Sequence, residues 1–222
     1  MISDADLADL CVGIYAYPGF PSVTWDHYDD GSADDGVCWA VKRVDGIDVV
    51  VFRGSVTMLD WLRDATILGN PFVHRDLHGI WPGFYLGMPE CWQEVRSKMS
   101  GPVTIVTGHS LGAARASVLC AMMTSTQYKP VARVVFGEPF PGDEDFCAMI
   151  ADIPSRSYCN GDDKGHDLVT DSPFFIANKD FRPARPSPLI SVSQSPDAAA
   201  HGLLGVFKYH HCPLYREALQ KA

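Results

Sequence analysis

The sequence predicts an α/β protein: one central, mostly parallel β-sheet flanked by helices. Three observations carry that expectation. Short apolar runs of strand length alternate with longer segments of helical periodicity along most of the chain. The most apolar of these runs, Ile47 to Phe52 and Val103 to Val106, are nearly unbroken by polar residues, as strands covered on both faces are. Finally, Gly108-His109-Ser110-Leu111-Gly112 falls at the junction of one such run with an Ala-rich helical segment.

Taken in order, Asp4 to Ala16 reads as an amphipathic helix. Leu7, Leu10, Cys11 and Ile14 share a face, Ser3 or Asp4 is the N-cap, and Pro18 and Pro21 end the segment. A Gly- and Asp-rich loop leads to Val37–Lys42, then Asp45-Gly46, then Ile47–Phe52, which is a hairpin pattern. Thr57 to Leu68 reads as helix, Gly69 to Pro82 as irregular, and Gly83 to Met99 as helix again. Strands are expected at Val103–Thr107, Val131–Phe136 and Ser155–Cys159. Helices are expected at Leu111–Met123, Asp143–Ile150 and Pro213–Lys221. Asn160 to His166 reads as a polar loop, and the Pro-rich stretch from Pro183 to Pro196 as loop with a short hairpin at Leu189–Val192. No repeat or linker interrupts the pattern, so residues 1–222 are read as a single domain.

Composition removes several classes of function. A net charge of −9 is unsuited to nucleic acid, whose phosphates reward Lys and Arg. No run approaches the roughly 18 to 20 apolar residues of a membrane span. The N-terminal residues lack a basic and apolar leader, which gives an expectation of cytoplasmic location. Seven cysteines stand singly, with no Cys-x-x-Cys pair, so neither a disulfide framework nor a structural zinc site is expected. They read instead as small apolar core residues. His74 and His78 have no cysteine or carboxylate at convincing ligand spacing, so no metal and no cofactor is expected.

The pentapeptide gains its meaning from its context. A strand before and a helix after Gly-x-Ser-x-Gly make a nucleophile elbow, the mark of the α/β-hydrolase fold. Ser110 is lifted above the sheet on a tight turn, the flanking glycines let helix and strand pass closely, and Leu111 N–H at the helix start is set to bind an oxyanion. A serine hydroxyl needs a histidine to take its proton and an acid to hold that histidine, in chain order Ser, Asp or Glu, His. Asp143, Asp145, Asp152, Asp162, Asp163, Asp167 and Asp171 follow Ser110, and His201, His210 and His211 follow Asp167. His109 is read as a packing residue, because an elbow turns its neighbours away from the site.

With these motifs the chain resembles the class 3 (fungal lipase-like) lipase family, in its short bacterial or phage form. Phe52-Arg53-Gly54-Ser55 resembles the family's oxyanion loop and Asp60-Trp61-Leu62-Arg63-Asp64 the segment after it. Gly83-Phe84 resembles a helix start, with Trp81 where the family has histidine. Phe136-Gly137-Glu138-Pro139 resembles the turn after the next strand, with Phe140 where arginine is usual. Asp167-Leu168-Val169, with Pro173 beyond, resembles the segment that carries the acid. The resemblance spans about residues 37 to 216. It implies Asp167 as the acid, with Asp163 the runner-up. His210, five residues before Tyr215, is implied as the base, with His211 the alternative. Ser55 N–H is implied as the second oxyanion donor beside Leu111. Residues 56–82 either form a lid or pack as core.

The expected activity is hydrolysis of a small-molecule or lipid carboxylic ester through an acyl-enzyme, as in an esterase or lipase of lipid metabolism. Short-chain or soluble esters are favoured over triacylglycerol, with transient contact to a lipid surface left open. A phospholipase, a thioesterase and a non-catalytic binding module on the same fold are the alternatives.

Overall fold

The computed structural model describes residues 2–16, 23–32, 36–55, 72–74, 77–162, 165–171, 183–194 and 209–221. The expected helix Thr57–Leu68 and most of the candidate lid lie outside the described residues.

Helix α1 spans Asp4–Ala16. It opens on a reciprocal cap in which Ser3 Oγ accepts Asp6 N–H at 3.1 Å while Asp6 Oδ2 accepts Ser3 N–H at 2.9 Å. Strands β1 (His27–Asp29), β2 (Trp39–Val44) and β3 (Ile47–Phe52) form an antiparallel meander. The β2–β3 turn has positive φ at both Asp45 (51°) and Gly46 (79°), the backbone that an Asp-Gly hairpin turn requires.

The next segment departs from expectation. Phe72–His74 (β4) and Leu77–Ile80 (β5) pair antiparallel where an irregular stretch was predicted. The single helix predicted over Gly83–Met99 is two, α2 (Pro82–Tyr85) and α3 (Met88–Lys98). The break is at Gly87, whose φ of 77° lies in the left-handed region. Pro89 in the first turn of α3 has no N–H to continue the earlier helix.

Strand β6 (Val103–His109) feeds α4 (Leu111–Thr124), and β7 (Lys129–Phe136) follows. Next come β8 (Gly142–Asp143), α5 (Glu144–Met149, capped by the Asp143 carboxylate) and β9 (Ser155–Asp162). Then come β10 (Gly165–His166), a 3-10 turn at Leu168–Asp171, β11 (Pro183–Ala184), β12 (Leu189–Val192) and α6 (Cys212–Lys221). Strand β9 therefore continues three residues into the stretch read as polar loop. Gly161 and Asp162 are held there by β10, and Ser157 to Asn160 by β12, which runs parallel to β9 instead of closing a hairpin on itself. Pairing of Asn160 with β12 and of Gly161 and Asp162 with β10 gives their backbone partners and overrides their poor strand propensity.

The main sheet has the order β1-β2-β3-β6-β7-β9-β10, with β12 also on β9. Its centre, β3-β6-β7-β9, is parallel throughout. A smaller sheet has the order β11-β8-β5-β4. Alternation along β3 divides the core: Val50 and Phe52 pack toward α2, α3 and α4, while Val49 and Val51 pack toward α1 and α6. All seven cysteines are free and buried, as expected of core residues. Among the described residues no helix is long and apolar enough to cross a membrane.

One polar cluster inside this core was not foreseen. Arg133 on β7 and Glu138 just beyond it are both fully buried, with Arg133 Nη1 2.7 Å from Glu138 Oε1. Arg133 also donates to Ser117 of α4 (2.9 Å) and Ser157 of β9 (2.9 Å), and Ser117 Oγ donates to Glu138. The cluster pins α4, β7 and β9 together. Glu138→Ala leaves an uncompensated buried guanidinium, so the expected loss of stability is about 3–5 kcal/mol. Urea unfolding checks this: the midpoint should fall steeply with the slope unchanged.

Candidate active site

The C-terminal ends of the parallel strands bring most of the sequence-predicted residues to one edge. Ser110 stands between β6 and α4 with φ 61° and ψ −131°, a backbone that side-chain-bearing residues rarely adopt. Three features of the sequence allow it. A Cβ on Gly108 would lie 2.3 Å from Gly112 O, so strand and helix approach closely. A Cβ on Gly112 would lie 2.3 Å from Phe52 O, so α4 sits directly on the end of β3. Ser110 N–H donates to Phe136 O at 3.0 Å, fixing the turn to β7.

Asp167 lies between β10 and the 3-10 turn and is fully buried. His210 precedes α6 and is 2 % exposed. His210 Nδ1 is 2.6 Å from Asp167 Oδ2, so the nitrogen donates and the carboxylate accepts. Asp167 Oδ1 accepts Val169 N–H at 2.9 Å, and Tyr215 Oη donates to Oδ2. Burial works to raise the Asp167 pKa, but the charge and hydrogen bond of His210 and the Tyr215 hydroxyl outweigh it and hold the carboxyl below its ordinary value. His210 Nε2 is buried and has no hydrogen-bond partner among the described residues. The pair is seated on Gly137, whose φ is 57° and where a Cβ would lie 2.7 Å from Asp167 Oδ2 and 2.8 Å from His210 Cε1. Glycine is required there by both backbone and space.

His211 is exposed, and the structure does not bring it to Asp167; its carbonyl accepts Leu214 N–H at 2.9 Å. Gly54 backs onto the elbow, since a Cβ there would lie 2.9 Å from Ser110 Cβ and 2.7 Å from His109 O. Ser55 is the residue that follows this contact in the chain. Leu111 N–H is a first-turn donor of α4, without an acceptor inside the helix. Asp163, His201 and Pro173 lie outside the described residues. Among the described residues no group of three His, Cys, Asp or Glu side chains could hold a metal ion.

Several neighbours escaped the sequence reading. Tyr215 entered it only as a spacing marker for His210, although its hydroxyl donates to the Asp167 carboxylate. Asn160 ties together the loops that carry Asp167 and His210: its carbonyl accepts Asp167 N–H (2.8 Å), and its amide donates to Tyr209 O (3.2 Å) and Gln194 O (3.0 Å). Tyr15 on α1 lies 94 positions from His109, with which it shares a 3.0 Å hydrogen bond. No local signal announces such long-range partners.

Comparison with known proteins agrees with this architecture. The Rhizomucor miehei triacylglyceride lipase superposes with a TM-score of 0.60 at 21% identity, over 75% of this chain and 72% of that one. The mono- and diacylglycerol lipase of Aspergillus oryzae gives 0.60 at 18%, over 88% and 78%. A mutant form of MDLA from Penicillium cyclopium gives 0.62 at 16%, also over 88% and 78%. These likenesses establish the α/β-hydrolase fold. A match to the lipase (class 3) family covers residues 49–177, more than half of the sequence. The chain belongs to the class 3 lipase family, and with it to the carboxylic ester hydrolases.

Proposed function

We propose that the protein hydrolyses carboxylic esters by a Ser110–His210–Asp167 triad through an acyl-enzyme. The single observation that carries the reading is the buried Asp167–His210 hydrogen bond, which leaves His210 Nε2 without a partner among the described residues, beside an elbow whose serine is held at positive φ. Ser110 Oγ attacks the ester carbonyl carbon while His210 Nε2 takes its proton. Asp167 remains ionised, holds the Nδ1–H tautomer and stabilises the imidazolium. The carbonyl electrons move onto oxygen, where Leu111 N–H and Ser55 N–H are the donors. The C–O bond to the alcohol breaks as His210 returns its proton to the leaving oxygen. Water then repeats the sequence on the acyl-serine and releases the acid.

The structural neighbours named above are lipases, which supports a lipid ester as substrate, and transient contact with a lipid surface fits it. Among such esters we favour short or soluble acyl chains.

Two measurements test the proposal. A fluorophosphonate probe should label the wild-type chain once, on the peptide that contains Ser110. A p-nitrophenyl ester series from acetate to palmitate should show kcat/KM falling with length beyond the medium chains. A rise toward palmitate would instead assign a long acyl groove. Preference for phospholipid or thioester over these esters would move the substrate class while leaving the triad in place.

A further inference from the structure

Behind the proposed base lies a second histidine that the mechanism does not use. His109 is 4 % exposed, and its ring lies over that of His210 with centroids 4.5 Å apart and planes 31° apart. His109 Nε2 is 2.7 Å from His210 O. A carbonyl only accepts, so Nε2 carries the hydrogen. In the neutral ring Nδ1 is then an acceptor, and Tyr15 Oη, 3.0 Å away, is its donor. The Tyr15 hydroxyl also abuts the oxyanion loop, since a Cβ on Gly54 would lie 2.3 Å from it. One side chain of α1 thus touches the support of the base and the residue before Ser55.

We propose that Tyr15 and His109 form a positioning brace, in which a neutral His109 clamps the His210 backbone from beneath and Tyr15 fixes the His109 tautomer while seating the Gly54-Ser55 loop. The inference rests on the triad reading above and adds two residues to it.

The physical requirement is sharp. His210 must present Nε2 to Ser110 while its Nδ1 stays on Asp167, and its ring can rotate or drift unless its backbone is held. The His109 Nε2–H bond to the His210 carbonyl holds that backbone. In each half-reaction His210 becomes a cation. A charged ring stacked 4.5 Å away would oppose this, whereas a neutral one presents its electron-rich face. Burial first, and the neighbouring His210 second, hold the His109 pKa well below the ordinary histidine value, consistent with the neutral tautomer. The other groups around His109 are Tyr15 from α1, Asp167 from the turn after β10, and His211 and Tyr215 from the C-terminal segment. Tyr15 is itself kept protonated, because burial raises its pKa well above the ordinary tyrosine value. Without its hydroxyl, His109 Nδ1 becomes a bare buried acceptor. The ring then either takes a proton or changes tautomer, and a changed tautomer sets the Nε2 lone pair against the His210 carbonyl.

The experiment compares Tyr15→Phe, His109→Phe and His109→Gln with wild type and with Ser110→Ala on p-nitrophenyl acetate. Kinetics are read with the pH profile and the downfield NMR resonance of the His210 Nδ1 proton. Tyr15→Phe should lower kcat about tenfold with KM within about twofold, and move the acid limb of kcat/KM to higher pH. His109→Phe keeps a ring but loses the donor, and should lower kcat about 100-fold. His109→Gln restores an N–H near the Nε2 position and should recover most of that loss. The Nδ1 resonance should shift or broaden in Tyr15→Phe and His109→Phe. If Ser110→Ala is inactive while Tyr15→Phe keeps wild-type kcat, acid limb and resonance, the brace is wrong and the triad stands. If Ser110→Ala keeps full activity, the triad itself is wrong. If Tyr15→Phe does not fold, the two His109 variants decide: equal losses in Gln and Phe, with an unshifted resonance, overturn the proposal.

Discussion

Ser110→Ala should reduce ester hydrolysis by about 10⁴-fold or more and leave the fold unchanged, because under the proposed mechanism it removes the only atom that bonds to the acyl carbon. The structural consequence is small for a reason visible in the geometry. The link from the elbow to β7 is the backbone bond from Ser110 N–H to Phe136 O, which alanine keeps. The side chain is 4 % exposed and its oxygen makes no hydrogen bond among the described residues, so its loss opens no polar gap. The melting temperature should therefore stay within a few degrees of wild type, and Ser110→Gly should raise it by relieving the strain of φ 61°. Titration with a p-nitrophenyl ester and thermal melts check both halves. Residual activity above about a hundredth of wild type, in a preparation free of other esterases, would remove Ser110 from the nucleophile's role.

His210→Ala should also cost about 10⁴-fold in kcat, whereas His211→Ala should cost about tenfold or less. The asymmetry follows from where adjacent side chains point. His210 is buried with Nδ1 on Asp167, and its loss leaves the Asp167 carboxylate buried with Tyr215 and Val169 N–H as its remaining donors among the described residues. His211 is exposed, and its structural bond is made by its carbonyl, which alanine retains. Steady-state kinetics of the two variants decide the matter. The reverse pattern would move the base to His211. Equal small losses would place it elsewhere and turn attention to His201.

The elements that were legible in the sequence share one property, a strong local signal. Asp4–Ala16 carried helical periodicity and a serine cap, Asp45-Gly46 demanded a tight hairpin turn, and Ile47–Phe52 was too apolar for anything but a central strand. The elements that were misread lack such a signal. Asn160-Gly161-Asp162 has loop composition and becomes strand because β10 and β12 pair with β9 there. Leu189–Val192 could equally have folded back on itself, and its partner is set by the distant β9. The break at Gly87 depends on a left-handed φ that no periodicity reveals.

The same division runs through the site. Chain order, the elbow pattern and the resemblance of its motifs singled out Ser110, Asp167 and His210, with Leu111 and Ser55 as oxyanion donors, because those residue types at those junctions are tied to the chemistry of acyl transfer. The choice between His210 and His211 was left open by the sequence, since neighbours in a chain have the same local context. The tertiary structure places them differently, burying the His210 ring against Asp167 and Gly137 and leaving His211 exposed. It alone also brings Tyr15 to His109 and Tyr215 to Asp167, across 94 and 48 residues. The reason is physical: a local sequence pattern encodes backbone propensity and which face is apolar, whereas a hydrogen bond between distant side chains exists only after the sheet has set the spacing between its strand ends.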